Sequence, residues 1–133
     1  MGLIVDTNVF IEAERRRGAV DLSPWKDHGP VFLSVITVSE LLVGVHRATT
    51  PERKTRRASF VEAILTAIPI LNVDEAVARE HAELFADLTS RGQIIGAHDL
   101  WIAATAMTHD HAVRTANTAE FAHVEGLEVL PFV

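Results

Sequence analysis

The chain has 133 residues, of which 48% are hydrophobic and 23% are charged, so it has enough apolar material for one domain with its own core. It contains no cysteine, which excludes a disulfide scaffold, a thiolate nucleophile and a cysteine-ligated zinc site, and its net charge of −6 by itself argues against nucleic-acid binding. The sequence shows neither a secretory leader nor an apolar stretch of about 18 residues, so it predicts a cytoplasmic protein without a membrane segment.

Short apolar runs alternate with stretches of helical periodicity along the chain. The predicted strands are residues 3–5, 31–36, 70–73, 112–115 and 127–130. The predicted helices follow Asp6, run from Thr37 to about Arg47, from Pro51 to near Pro69, from about Asp74 to Gly92, and from about His98 to Asp110. This alternation predicts a single α/β domain over residues 1–133, with a parallel sheet covered by helices on both faces.

Polar side chains occur where the predicted strands end and the predicted helices begin. Asp6 ends the first strand, Glu40 lies just inside the helix after the second, and Asp99 begins the helix before the fourth. Asn117 follows the fourth strand, and Glu120 comes three residues later. Ligands of open α/β sheets bind beyond the carboxyl ends of the strands, so these oxygens can converge at one edge. Their repulsion would be relieved by Mg²⁺ or Mn²⁺, which prefer oxygen ligands.

Each position also has a purely structural interpretation, because acids are common at the N-termini of helices. Asp6 can be an ordinary N-cap, and Asp99 can simply interact with the helix dipole. Segments 37–40 and 117–120 both match a capping box. The combination of all these positions at matching places in the topology favours a functional site.

Four segments, in this order, resemble the motifs of the PIN-domain family over nearly the whole chain. They are Val5-Asp6-Thr7-Asn8, Ser34-x-x-Thr37-x-x-Glu40-Leu41-x-x-Gly44, the stretch from Gly96 to Ala106, and Thr115-x-Asn117-x-x-Glu120-Phe121. The resemblance implies an α/β/α sandwich with a mainly parallel, twisted sheet of four to five strands. It also implies a metal-dependent endoribonuclease, a hydrolase of RNA phosphodiester bonds. Small bacterial VapC-type members are toxins of type II toxin–antitoxin pairs; they cleave tRNA or rRNA, form homodimers and bind a VapB-like antitoxin.

The resemblance also assigns roles to individual residues. Asp6 and Asp99 become the main ligands of Mg²⁺ or Mn²⁺, and Glu40 becomes a third acid that binds the metal directly or through water. Asn117 occupies a place where many members have aspartate, so Asn117 and Glu120 remain alternatives for the fourth catalytic position. The supporting positions are Thr7, Asn8, Thr115 and His98, the last as a neighbour of Asp99.

The chemistry implied by these roles is hydrolysis by activated water. A metal held by Asp6 and Asp99 would lower the pKa of a water molecule, and Glu40 could orient that water as a base. In-line attack would then leave a 5′-phosphate and a 3′-hydroxyl. A histidine pair such as His109 and His111 could instead cleave RNA without metal, but most of the seven histidines are expected at the surface or at helix caps.

The arginines form two groups despite the acidic total charge. A basic run on a helix is usually a solvated face, and its functional interpretation is contact with RNA phosphates. The candidates for this role are Arg15, Arg16, Arg17, Arg53, Arg56 and Arg57.

Other functions compete with the nuclease. A haloacid-dehalogenase-like phosphatase needs an acid two residues after its first aspartate, where this chain has Asn8. A receiver-like signalling domain needs an acidic pair near its first strand and a phosphoacceptor on its third, and neither is evident. The remaining alternative is a PIN-like module that binds a partner with weak or no catalysis, which Asn117 keeps open.

Overall fold

The computed structural model describes residues 1–16 and 28–132, and within them the chain forms five strands and six helices. The strands are β1 (Leu3–Val5), β2 (Val31–Ser34), β3 (Ile70–Leu71), β4 (Ala112–Thr115) and β5 (Val129–Pro131). The helices are α1 (Thr7–Arg15), α2 (Val35–His46), α3 (Pro51–Ala67), α4 (Glu75–Ser90), α5 (Ala97–Thr108) and α6 (Thr118–Phe121). None of these helices is long and apolar enough to cross a membrane.

All five strands are parallel and form one sheet in the order β3-β2-β1-β4-β5. β1 lies at the centre, where Leu3 pairs with Val31 on one side and with Ala112 on the other. The predicted α/β fold with a parallel sheet is therefore confirmed. Because these strands are parallel, the carboxyl ends of β1, β2 and β4 lie at the same edge of the sheet. Asp6 directly follows β1 at this edge.

The three residues of β1 are fully buried because the sheet has a hydrophobic core on each face. Successive strand side chains point to opposite faces. Leu3 and Val5 accordingly join Phe10 of α1 in one core, whereas Ile4 joins Ile102 of α5 in the other. The result is the expected layered arrangement, with helices on both sides of the sheet.

Helix caps explain where the predicted boundaries hold and where they fail. Asp74 accepts a hydrogen bond from the Val77 amide at 3.0 Å and begins α4, and Gly92 has the positive φ of 68° expected just after its end. The predicted strand 31–36 is too long, because Ser34 accepts from the Ile36 amide at 3.1 Å and so begins α2 at residue 35. Thr37 therefore lies inside the helix, and its predicted role in a capping box is wrong.

Candidate active site

The carboxyl edge of the sheet carries an open, acid-lined cavity of about 350 Å³. It lies between the end of β1, the helices α1 and α2, and the first turn of α5. Its lining residues are Asp6, Thr7, Asn8, Ile11, Ser39, Glu40, Val43, His98 and Asp99. The three predicted acids Asp6, Glu40 and Asp99 are thus brought together from three separate parts of the chain.

Asp6 is the most buried of these acids, with 3% of its surface exposed. Its Oδ1 accepts a hydrogen bond from the Thr7 amide and its Oδ2 accepts one from Thr115 Oγ1, both at 2.8 Å. Burial raises the pKa of Asp6, and the charges of Glu40 and Glu120 raise it further, against the two hydrogen bonds, which lower it. Asp6 therefore caps α1, as the structural interpretation predicted, and also presents a fixed carboxylate to the cavity.

Glu40 is oriented by hydroxyl groups from two helices. Thr7 Oγ1 donates to Glu40 Oε1 at 2.7 Å and lies 3.0 Å from Thr37 Oγ1. Because a carboxylate only accepts, the Thr7 proton points to Glu40 and Thr37 donates to Thr7. The Thr37 hydroxyl thus supports the acid instead of capping the helix, a role that the capping-box pattern had hidden.

His98 contacts Glu40. Its position next to Asp99 in the sequence had suggested a contact with Asp99 instead. Its Nδ1 lies 3.3 Å from Glu40 Oε2 across the mouth of the cavity. Neighbouring residues of an α-helix point about 100° apart, so a residue next to Asp99 in sequence is directed to a different partner. His98 therefore links the start of α5 to α2.

Asp99 has the most perturbed acidity of the site. Burial raises its pKa to about 7, assisted by the charges of Asp6, Glu120 and Glu40 and by a hydrogen bond with Glu120. The side chain lies in the first turn of α5, whose N-cap residue Gly96 provides no side-chain hydrogen bond. Near neutral pH, the Asp99 carboxyl group is therefore partly protonated and partly ionised.

Glu120 lies beside Asp99, and Asn117 contacts Glu120. Glu120 Oε1 accepts a hydrogen bond from the Gly96 amide and so caps α5 from outside, and its Oε2 accepts from Asn117 Nδ2. Asn117 makes no side-chain cap for α6, so its predicted capping box is wrong. Of the two alternatives for the fourth position, Glu120 is the one that contacts Asp99.

Thr115 and Asn8 connect β4 to the site. Thr115 Oγ1 donates to Asp6 and accepts from the Asn117 amide at 2.9 Å. Asn8 Oδ1 accepts from the Ala116 amide at 3.2 Å, which ties α1 to the segment after β4. These two supporting residues orient the acids without lending a charge of their own.

The donor set consists of oxygen atoms, which suits Mg²⁺ or Mn²⁺. Within residues 1–16 and 28–132, no three His, Asp or Glu side chains are already grouped as a ready-made metal site. Burial, and secondly the neighbouring carboxylates, raise the pKa values of Asp6 and Asp99 and so oppose their ionisation. A divalent cation would remove this opposition, so the residues fit such an ion provided that their side chains move towards it.

Of the predicted basic residues that the structure describes, none lines the acid-lined cavity. Arg57 donates from Nε to Glu14 Oε1 at 3.1 Å and from Nη1 to the Gly44 carbonyl at 3.0 Å, and it therefore joins α3 to α1 and α2. Arg15 pairs with Glu12 at the surface. The exposed candidates are Arg15, Arg16, Arg53 and Arg56, whereas Arg17 lies outside the described residues.

His109 and His111 lie at the opposite, amino edge of the sheet. The His111 ring stacks on Phe32 and its Nδ1 accepts a hydrogen bond from the Gly2 amide at 2.9 Å. The histidine pair is consequently separated from the acids by the length of the strands.

Comparison with known proteins gives a consistent result. The model of the PIN domain family matches residues 3–127. Ribonuclease VapC1 of Rickettsia felis is 36% identical over 98% of this chain and 96% of its own length. The tRNA(fMet)-specific endonuclease VapC of Shigella flexneri is 29% identical over 93% and 92% of the two chains. A solved structure of VapBC-5, from a Mycobacterium tuberculosis toxin–antitoxin system, has a TM-score of 0.81 and 30% identity over 99% and 100% of the two chains.

Proposed function

The chain belongs to the PIN-domain family and to its VapC ribonucleases, and we propose that it is a metal-dependent endoribonuclease, the toxin of a type II toxin–antitoxin pair. The observation that carries the proposal is the meeting of Asp6, Glu40 and Asp99 in one cavity at the carboxyl edge of the sheet. Each acid comes from a different element, and Glu120 raises the pKa of Asp99. Structural capping alone would not bring these four carboxyl groups together.

The residues of the cavity have distinct tasks in this reaction. Mg²⁺ or Mn²⁺, bound by Asp6, Asp99 and Glu40, would offset the phosphate charge and make a water molecule acidic enough to give hydroxide near neutral pH. Thr115 orients Asp6, and Glu120 orients Asp99, each through a side-chain hydrogen bond. Thr7 holds Glu40 through Oε1, and His98 contacts its Oε2 at 3.3 Å. Because Glu40 lines the cavity, its carboxylate can orient the attacking water and accept its proton there.

The bond changes predict the product ends. Oxygen of the water attacks phosphorus, the bond from phosphorus to the 3′ oxygen breaks, and the leaving oxygen takes a proton from solvent. The products are therefore a 5′-phosphate and a 3′-hydroxyl, and the 2′-hydroxyl of the RNA does not act as the nucleophile.

The relatives support proposals for the substrate and the partners. The Shigella flexneri relative is named for tRNA(fMet), which makes tRNA the first RNA to test, with rRNA as the second. The VapBC-5 structure comes from a toxin–antitoxin system, which supports a VapB-like antitoxin as the partner of this chain and a homodimer or a hetero-oligomer as its assembly. The exposed Arg53 and Arg56 on α3 are available for contact with RNA phosphates.

The competing proposal of an inactive partner-binding module depended on Asn117. In the structure, Asn117 donates to Glu120, and Glu120 contacts Asp99. These contacts support Glu120 as the source of the carboxylate that the sequence motif lacks at position 117. Among residues 1–16 and 28–132, no contact within the cavity favours the inactive module.

The proposal is tested by incubating the purified protein with total tRNA and rRNA in Mg²⁺ or Mn²⁺ and sequencing the product ends. We expect discrete, metal-dependent cuts with 5′-phosphate ends, and a loss of rate of at least about 100-fold in Asp6→Asn and in Asp99→Asn. Glu83→Gln is the matched control, because Glu83 is an exposed acid on α4 outside the cavity. Cuts that leave 2′,3′-cyclic phosphates, or that persist in both site variants, would refute the mechanism.

A further inference from the structure

Arg91 ends α4 and connects this helix to the segment that carries Glu120. Its Nε and Nη2 both donate to Asp87 Oδ2, at 3.1 and 2.8 Å, and its Nη2 also donates to the carbonyl oxygen of His123 at 2.8 Å. Glu120 lies within α6, and His123 follows the end of that helix by two residues. The Arg91 side chain therefore links the end of α4 directly to the end of α6.

A second arginine on α4 shows which of these contacts is unusual. Arg79 pairs with Glu75, four positions earlier, at 2.8 Å. The pair of Arg91 and Asp87 has the same spacing and the same distance. Such pairs are ordinary on exposed helices and add little to stability. The Arg79 side chain is 77% exposed, whereas that of Arg91 is 32% exposed and reaches a carbonyl group 32 positions away, so the link to His123 is what distinguishes Arg91.

The loop between α4 and α5 is held to the α6 segment at both of its ends. At the start of the loop, Arg91 donates to the His123 carbonyl. At its end, the Gly96 amide donates to Glu120 Oε1. Short stretches of chain join these two links, so the four groups form a closed ring. A shift of α6 at one link must therefore change the geometry at the other.

Apolar packing holds α6 against its neighbours but does not by itself set its direction. Phe121 and Val124 are buried in one core with Leu88 of α4 and Leu100 of α5. Apolar contacts are non-directional, whereas a hydrogen bond has a narrow range of lengths and a preferred angle. Arg91 consequently supplies a directional contact between α4 and the α6 segment.

We propose that Arg91 is a positioning residue of the nuclease, which acts by holding Glu120 in contact with Asp99. This inference rests on the proposed function, in which Asp99 is a metal ligand. Glu120 forms a hydrogen bond with Asp99 and accepts another from the Gly96 amide. Displacement of α6 would therefore loosen both the ligand and the first turn of its helix. Partners that orient a ligand strongly affect the affinity for a metal, although they do not touch the ion.

The first measurement follows the Gly96 amide by NMR in the metal-free protein, which requires no RNA cleavage. In Arg91→Gln we expect the amide proton to shift upfield and to exchange with solvent about tenfold faster, because its bond to the Glu120 carboxylate is weakened. Arg79→Gln is the matched control, since it removes an ion pair of the same helix and spacing that lies outside this ring. It should leave the Gly96 resonance unchanged.

The second measurement is the Kd for Mn²⁺, obtained from the electron paramagnetic resonance signal of the free ion. Arg91→Gln should raise this Kd about fivefold, which is less than the roughly 10–100-fold loss that follows removal of a direct partner of a ligand. Arg79→Gln should not change it. In a Glu120→Ala background, Arg91→Gln should add little, because Arg91 acts through Glu120. Arg91→Lys should restore only part of the affinity, since an ammonium group lacks the planar fork that contacts both acceptors.

Separate outcomes distinguish this inference from the proposed function. If Arg91→Gln changes neither the Gly96 resonance nor the Kd for Mn²⁺, the positioning role is overturned and the nuclease remains. An effect on Kd that is equally large in the Glu120→Ala background would also overturn it, because Arg91 would then act by another route. If the parent binds no Mn²⁺, the proposed function fails and this role fails with it. Should Arg91→Gln not fold, Asp87→Asn takes its place, because it frees the guanidinium group from its anchor, and the same two results decide.

Discussion

The two edges of the sheet are built in opposite ways. At the carboxyl edge, burial and neighbouring acids raise the pKa values of Asp6 and Asp99, and these residues line an open cavity. At the amino edge, Gly2, Phe32 and His111 are in close contact, and the Gly2 amide donates to the His111 ring. The comparison indicates that the amino edge stabilises the fold, whereas the carboxyl edge retains groups that oppose one another in the absence of a ligand.

The largest expected effect on stability comes from adding a side chain at Gly2, in the amino edge. A Cβ atom added at Gly2 would lie 2.8 Å from the Pro30 carbonyl oxygen, 3.0 Å from Phe32 and 3.1 Å from His111. The Pro30 oxygen cannot move away freely, because it accepts a hydrogen bond from the Leu3 amide at 2.9 Å. We expect Gly2→Ala to lower the free energy of unfolding by about 3 kcal/mol, measured by urea denaturation.

Gly44→Ala is the control for that change. Gly44 lies inside α2, and its added Cβ would meet only the Arg57 side chain, at 3.8 Å. Alanine is the better helix former, so this variant should gain roughly 0.5–1 kcal/mol. Equal losses in Gly2→Ala and Gly44→Ala would show that the amino edge is not specially close-packed.

Binding of a divalent cation at the carboxyl edge should stabilise the folded protein. If the acids bind Mn²⁺ only in the folded state, a concentration 100 times the Kd should stabilise the protein by about 2.7 kcal/mol. Thermal unfolding with and without Mn²⁺ measures this gain, and Asp99→Asn should abolish most of it. A parent whose Tm is indifferent to Mn²⁺ and Mg²⁺ would contradict a metal site at this edge.

Removing the charge of Asp99 should stabilise the metal-free protein, because it reduces the repulsion among the acids at the carboxyl edge. The folded pKa of Asp99 is about 7, above its ordinary 3.8, so between these values the folded state binds more protons than the unfolded state. The stability of the parent should therefore fall as pH rises from about 4 to 7, and this contribution should be absent in Asp99→Asn. Because the side chain is only half-buried, we expect a gain of about 1 kcal/mol in the variant at pH 8, measured in EDTA. Parallel pH profiles of the two proteins would contradict this account.

The smallest effect concerns His111. Burial lowers its pKa below the ordinary 6.5, and the nearby His109 lowers it further. The folded state then binds fewer protons than the unfolded state, so this contribution is complete above pH 6.5 and declines as pH falls through that value. His111→Asn retains an acceptor near the position of Nδ1 and cannot titrate, so its denaturation profile should be flatter between pH 5 and 7. An unchanged slope would remove His111 from the amino-edge network.

The features that sequence could predict are those determined locally or by topology. The buried run of β1, the cap at Asp74 and the glycine after α4 depend on near neighbours, and each occurs where it was expected. Asp6 and Asp99 were accessible to prediction for another reason. In a parallel sheet the carboxyl ends of the strands meet, so residues at those ends can be brought together before any contact is known.

The features that sequence missed depend on contacts between distant segments. From the sequence, either Ser34 or Thr37 could cap α2. In the structure Ser34 is the cap, and Thr37 forms a hydrogen bond with Thr7 because α1 lies next to α2. Glu120 likewise caps α5 across 24 residues, which no local capping pattern encodes. Ile11 and Val43 resemble ordinary helix residues in sequence, because their exposure is known only once the core has been assigned to other side chains.

The central place of β1 has a consequence for synthesis on the ribosome. Asp6 is made before Thr115, whose hydroxyl orients it from 109 positions later. β1 also pairs with β4, so neither the sheet centre nor the acid cluster can be completed until β4 has left the exit tunnel. A nascent or truncated chain that ends before β4 should therefore lack RNA-cleaving activity, and the order of translation itself delays that activity until β4 has been made.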